Sequence, residues 1–221
     1  PLYYGDNKAR FAQWQDQIIH VVVDDWPTYH DSWTYERYQR DQIDRGLAQC
    51  DCEDNDIVII TDADEIPRAS TVQSYTTQQG ILNLEQTLYY YNFNCRSQGK
   101  WLWGKILPYA LKKHMTCCHV RYYFDGVVHA PQLANAGWHC SYFGDAEAAI
   151  RKLESGAHQE YNTPLFKQQE LIAQRMARCE DLLGRNIQYE YVTVDDTYPQ
   201  FVQDNKPYYQ AKGLVHDQDT V

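Results

Sequence analysis

The sequence predicts an α/β protein with a mostly parallel sheet flanked by helices, and three observations carry that expectation. Two short β-branched runs, Ile18 to Val23 and Ile57 to Ile60, are apolar on both faces, as buried strands of parallel sheets are. A segment of helical period lies between them. The order strand, helix, strand, helix, strand up to residue 93 is that of βαβ units.

In chain order, IIHVVV (18–23) ends in Asp24-Asp25, and Trp26-Pro27 breaks the run. From Trp33 to Leu47 the pattern is helical, with Tyr35, Tyr38, Ile43 and Leu47 near one face and Gly46 close to the end. A strand over Ile57 to Thr61 follows, then a short helix from Ala69 to Gln79 closed by Gly80. TLYYYNF (87–93) reads as an aromatic strand. Residues 96–145 are irregular, with a strand candidate at His119 to Phe124. Two more helices are expected, Ala146 to Ser155 and Lys167 to Leu183. The second carries a stripe of Leu171, Ile172, Cys179, Leu182 and Leu183, and Gly184 is its stop. No repeat or linker interrupts the chain, so residues 1–221 are read as a single domain.

Composition narrows the function. A net charge of −10 argues against a nucleic-acid backbone as partner. Nineteen Tyr and six Trp favour stacking on sugar rings or bases, though the same residues build cores. No apolar run is long enough to span a membrane. The chain opens on Pro1, so a trimmed product or fragment is expected. Seven cysteines include no Cys-x-x-Cys pair, which argues against a zinc ribbon or a thioredoxin-like motif. One or two disulfides are compatible with the count, and at least one thiol is left over.

The densest chemistry lies in DIVIITDADEIPR (56–68), where the β-branched run ends abruptly in Asp62-Ala63-Asp64-Glu65. Ligands of open α/β sheets sit outside the carboxyl ends of the strands. Two carboxylates one residue apart at that edge reach one hard divalent cation, which keeps positions open for substrate phosphates. The bland alternative is a solvated turn in which Asp62 or Asp64 caps the next helix and Pro67 sits in its first turn. The motif by itself fits both.

Seven ordered segments together resemble glycosyltransferase family 17: PLYYGDNKARF (1–11), IIHVVVDD (18–25), YQRDQIDRGL (38–47), DIVIITDADEIPR (56–68), EQTLYYYNFNCR (85–96), GWHCSYFG (137–144) and KLESGAHQEYN (152–162). Residues after Tyr191 carry little of the resemblance. It implies a GT-A-type, Rossmann-like fold and a Golgi lumenal setting for a eukaryotic source, with any anchor outside this chain. It also implies a strand and helix upstream of the segment matched at Pro1, so the chain is expected to lack the family's N-terminal part. The implied reaction moves N-acetylglucosamine from UDP-GlcNAc to O4 of the β-linked mannose of an N-glycan core. Going from an α-linked donor to a β product inverts the anomeric centre in a single displacement.

On this resemblance Asp62 and Asp64 match the family's Asp-x-Asp, expected to hold Mn2+ or Mg2+. His139 is the candidate third ligand, with His158 as its alternative. Glu160 and Asp125, then Glu154, are candidates for the base that deprotonates the acceptor hydroxyl. Trp101, Trp103 and Trp138 are candidate sugar platforms, and Arg96 and Lys105 candidate partners of the donor diphosphate. Core packing and surface ion pairs are the competing fates of these residues. Two other functions remain open at this point. A haloacid-dehalogenase-like phosphatase also places Asp-x-Asp after a buried strand, and YVTVDD (191–196) imitates its downstream acid pair. A non-catalytic carbohydrate-binding or truncated module is the other.

Overall fold

The protein is described here by a computed structural model covering residues 3–28, 31–127 and 129–217. Pro1 and Leu2, which open the first family-like segment, lie outside the described residues. The strands are β1 (Ile57–Ile60), β2 (Glu65–Pro67), β3 (Leu82–Tyr90), β4 (Cys95–Trp101), β5 (Lys105–Pro108), β6 (Gln132–Ser141) and β7 (Tyr189–Tyr191). The helices are α1 (Tyr3–Asp6), α2 (Ser32–Asp41), α3 (Ile43–Leu47), α4 (Ala69–Val72), α5 (Tyr109–Lys112), α6 (Cys117–Arg121), α7 (Ala146–Ser155), α8 (Gln169–Ala177), α9 (Gln200–Asp204) and α10 (Lys206–Ala211).

The sheet is predominantly antiparallel, which corrects the expected mostly parallel, Rossmann-like GT-A sheet. Its path runs β1-β5-β3-β4-β7, with β6 also on β3 and β2 on β6. Every pairing is antiparallel except β3 with β6. The physical reason is the placement of β5. Strands β1 and β3 do share a direction, but β5 lies between them and runs against both. Parallel neighbours require a crossover that leaves them adjacent, and the later antiparallel strand occupies that position.

Other expectations are corrected too. Ile18 to Val23 is extended but forms no strand. A strand is defined by a partner ladder, and here Ile19 and Val21 lie against Gly46 of α3 instead. Strand β1 sits at the end of the sheet path and is not buried on both faces: Ile57 is 45 % exposed while Val58 and Ile60 are buried. His119 to Phe124 is not a strand either, because Thr116 caps α6 by accepting from His119 N at 3.1 Å. The helix expected over Ala69 to Gln79 breaks into α4 and a 3-10 turn at Thr77–Gln79.

Helix α7 matches its expected bounds, capped by Asp145 accepting from Ala148 N at 2.8 Å. The last expected helix ends early, at Ala177. Cys179 has φ +53°, and its sulfur is bonded to Cys95 of β4, which pulls the chain out of helical course.

Residue alternation along β3 divides the core. Tyr90 and Tyr91 pack with Ala149, Leu153, Ile172 and Leu182, joining α7 and α8 to the sheet. Tyr89, the neighbour of Tyr90, packs with Phe93, Trp138, Tyr198, Val202 and Val215, the layer supplied by the C-terminal segment. Gly137 is required by a close approach: its φ is +141°, and a Cβ there would lie 2.1 Å from Ile66 O of β2.

The Cys95–Cys179 bridge closes a loop of 84 residues in sequence. Its reduction is expected to cost about 2–4 kcal/mol, a fall in Tm of roughly 5–15 °C. Thermal unfolding with and without reductant checks this.

Candidate functional site

Strand β1 ends at Ile60, and a tight turn, Glu65 N donating to Asp62 O at 3.0 Å, carries the chain into β2. That turn projects Asp62 and Asp64 at the sheet's edge. Register then decides what meets them. Glu65 of β2 pairs with His139 of β6, and Cys140 N donates to Asp64 O at 2.8 Å.

Asp62 is clamped by two guanidiniums. Arg40 of α2 donates to its Oδ1 at 3.0 Å and Arg121 of α6 to its Oδ2 at 2.8 Å. Arg121 also donates through Nη1 to Glu65 Oε2 at 2.6 Å and through Nη2 to Oε1. The Glu65 side chain is fully buried and that of Arg121 is 4 % exposed. Trp101 Nε1–H and the backbone N–H of Asp62 complete the donors on the Glu65 carboxylate. A buried charge persists only when it is paired and hydrogen-bonded in this way.

Asp64 meets Lys152 of α7 at 2.8 Å and His139 Nε2 at 3.5 Å, both through Oδ2. Burial alone raises its pKa, but the hydrogen bond from His139 and the Lys152 ammonium outweigh it and hold the carboxyl well below the usual range. His139 is buried, its Nδ1 makes no hydrogen bond, and its ring lies 4.1 Å from that of Trp101. Arg40 Nη1 is likewise buried and has no partner among the described residues.

These groups line a cleft of about 610 Å³. Its walls include seven aromatic residues: Trp33, Tyr90, Trp101, Trp103, Tyr122, Tyr142 and Tyr189. Five cations (Arg37, Arg40, Arg121, Lys152 and Arg185) face three carboxylates, Glu36, Asp62 and Asp64. Glu65 against Arg121 and Asp181 against Arg185 balance the count, so this chain of net charge −10 gathers in the cleft cations that are largely paired within the protein.

Of the expected site residues, the structure brings Asp62, Asp64, His139, His158, Trp101 and Trp103 to this cleft. The others lie elsewhere. Arg96 pairs with Glu190 across β4 and β7 at 2.8 Å. Lys105 is buried and donates to the carbonyls of Leu102 and Trp103; burial and then Arg121 lower its pKa to about 8. Trp138 points to the other face of β6, under Arg68 at 4.1 Å and donating to Thr197 O. Asp125 is exposed in the turn after α6, and Glu154 pairs with Lys167 at 2.9 Å. Glu160 does not line the cleft, but its partner His158 does. Asp195 accepts from Thr197, and neither it nor Asp196 lines the cleft. Arg40, Arg121, Lys152 and Glu65 were not singled out by sequence reasoning. Their only signal was Glu65 inside the DADE motif, an acid in a turn otherwise explained by its neighbours.

Two carboxylates one residue apart fit a hard divalent cation that completes its shell with water and phosphate oxygens. Among the described residues, no three His, Cys, Asp or Glu converge on one point suited to a metal ion. His139 approaches Asp64 alone, and His158 meets Glu160.

An aromatic-walled, cation-rich cleft with paired acids at its floor is built for a ligand that carries both a ring and negative charge. The sequence model of glycosyltransferase family 17 matches residues 1–202, and the chain belongs to that family. Membership makes it a glycosyltransferase in general terms, working between a sugar donor and an oligosaccharide acceptor. No curated protein and no solved structure matches the chain. None of the described helices is long and apolar enough to cross a membrane.

Arg121→Met leaves Glu65 charged and unpaired in the interior and is expected to cost about 3–5 kcal/mol, measured by urea denaturation. For Asp64 the depressed native pKa sets the sign. The unfolded carboxyl takes up its proton near roughly pH 4, while the native one stays ionised to lower pH. The stability it contributes is therefore complete above that pH and declines as the pH falls through it. Asp64→Asn is expected to flatten this acid limb in denaturation curves taken down to pH 3.

Proposed function

We propose that the protein transfers N-acetylglucosamine from UDP-GlcNAc to O4 of the β-linked mannose of an N-glycan core, with inversion at the anomeric carbon. One observation carries the reading: Asp62 and Asp64 share a single cleft with five cations and an aromatic wall. The cations suit a diphosphate, and the buried Arg40 Nη1, which has no acceptor among the described residues, offers a further donor. The Trp101 and Trp103 rings, 6.5 Å apart, suit a pyranose. Membership of the family supplies the class of reaction.

In this reading Asp62 and Asp64 would hold Mn2+ or Mg2+, which supplies positive charge to the departing diphosphate when bound. The chain's own residues do the rest. Arg40 and Arg121 fix the Asp62 carboxylate from both sides. Lys152 and His139 keep Asp64 ionised at neutral pH. The arginines around the cleft stabilise negative charge that grows on the leaving group, where preorganised donors are most effective. The phosphatase alternative is poorly served. The family matched over residues 1–202 is one of glycosyltransferases, and neither Asp195 nor Asp196 of the imitated acid pair lines the cleft.

The test is transfer of radiolabelled sugar from UDP-GlcNAc to an N-glycan core oligosaccharide in the presence of manganese. Asp62→Ala and Asp64→Ala are each expected to lower turnover by about 100-fold or more and to remove manganese-dependent UDP binding in calorimetry. Wild-type turnover in either variant overturns the assignment.

A further inference from the structure

An inverting displacement needs a group that accepts the proton of the attacking hydroxyl, and the cleft's own carboxylates are poorly placed to serve. Glu36 pairs with Arg40 at 3.1 Å. Asp62 is held by Arg40 and Arg121, and Asp64 by Lys152 and His139. A cation beside a carboxylate stabilises its charged form and weakens it as a base. His139 is buried with one nitrogen at Asp64, out of reach of a bulky acceptor.

His158 differs in each respect. It lines the same cleft, and its side chain is 54 % exposed. Its Nδ1 lies 2.6 Å from Glu160 Oε1. An ionised carboxylate only accepts, so Nδ1 carries the hydrogen, and in the neutral ring it is Nε2 that holds the lone pair. The ring is steadied by Trp33, edge-on at 4.6 Å, and Ser32 Oγ donates to the carbonyl of the preceding Ala157 at 2.6 Å. Trp33 and Arg40 belong to one helix. Seven residues separate them, a rise of roughly 10 Å. Trp33, beside His158, and Arg40, on Asp62, therefore stand about two helical turns apart along one wall of the cleft.

The geometry points to His158 as the general base of the transfer reaction proposed above, with Glu160 as its positioning residue; this inference rests on that reading. His158 Nε2 takes the proton of the acceptor hydroxyl as the oxygen bonds to the anomeric carbon of the donor sugar. The bond from that carbon to the diphosphate oxygen breaks, and UDP leaves with the electron pair. The imidazolium is stabilised by Glu160 and returns its proton to water.

The test combines kinetics with a direct view of the ring. His158→Ala is expected to lower kcat by about 100-fold or more, with KM for UDP-GlcNAc changed less than about twofold and partial rescue by added imidazole. Glu160→Gln is expected to lower kcat with the same unchanged donor KM, and Glu160→Asp to recover part of the loss. Nitrogen-15 shifts of His158 are expected to show the Nδ1–H tautomer in the wild type and its loss in Glu160→Gln. A His158→Ala enzyme that keeps more than a third of wild-type kcat, or a loss that imidazole leaves untouched, overturns the assignment while transfer itself stands. A wild-type chain that moves no sugar from any donor overturns the functional reading and the base with it.

Discussion

The buried ion pair between Glu65 and Arg121 is the constraint on which the cleft depends. Glu65 opens β2 directly after the acidic turn, and its carboxylate is withdrawn from solvent altogether. Such a charge would destabilise the fold by several kcal/mol if unpaired. It is tolerated because Arg121, Trp101 and the Asp62 backbone all donate to it. The same contacts fix everything nearby. They tie α6 to the β1–β2 turn, stand Trp101 in the cleft wall and leave Arg121 one further N–H for Asp62. A single buried acid thus sets the direction of a functional one.

The sheet's two-residue period does the remaining sorting. On β3, Tyr90 turns toward α7 and the cleft while Tyr89 turns toward Tyr198. On β6, His139 reaches Asp64 while Trp138 goes under Arg68. Two residues adjacent in GWHCSYFG therefore serve opposite layers. Many of the tyrosines are spent on packing between these layers, and burial raises the pKa of several, Tyr189 among them. An aromatic-rich composition is here partly a core and partly a binding wall.

What was legible in the chain follows from the same physics. The acids after the β-branched run 57–60 do emerge at the end of a strand, so Asp62 and Asp64 were visible as a pair, whereas Asp24 and Asp25 follow a run that forms none. Capped helices with a sharp stop were visible too, as α7 shows. Strand direction was not, because a short apolar run suits either orientation equally; β5, from a stretch that read as irregular, enters between β1 and β3, and β4 folds back on β3, both antiparallel. The cations of the cleft were hidden for a different reason. Arg40, Arg121 and Lys152 are ordinary helix residues along the chain, and each gains its role from a partner 22, 59 or 88 residues away. Local pattern carries no trace of such pairings. The charged residues that sequence reasoning preferred, Arg96 and Glu154, found partners outside the cleft in Glu190 and Lys167.

The mixture of signs in the cleft has its own logic. Without ligand, each carboxylate is matched by a cation, and the site bears little net strain despite partial burial. Under the proposed reading a diphosphate arriving alone would meet Asp62 and Asp64 as repulsive neighbours, and a divalent cation arriving alone would meet Arg40, Arg121 and Lys152. Together they would present both signs, Arg40, Arg121 and Lys152 being the groups to face the phosphates and Asp62 and Asp64 those to hold the cation. Each ligand therefore removes the electrostatic obstacle to the other, and thermodynamic linkage requires the coupling to be mutual. A self-neutralised cleft of this kind favours the complete donor–cation complex over either component, a selectivity that no single residue in it possesses.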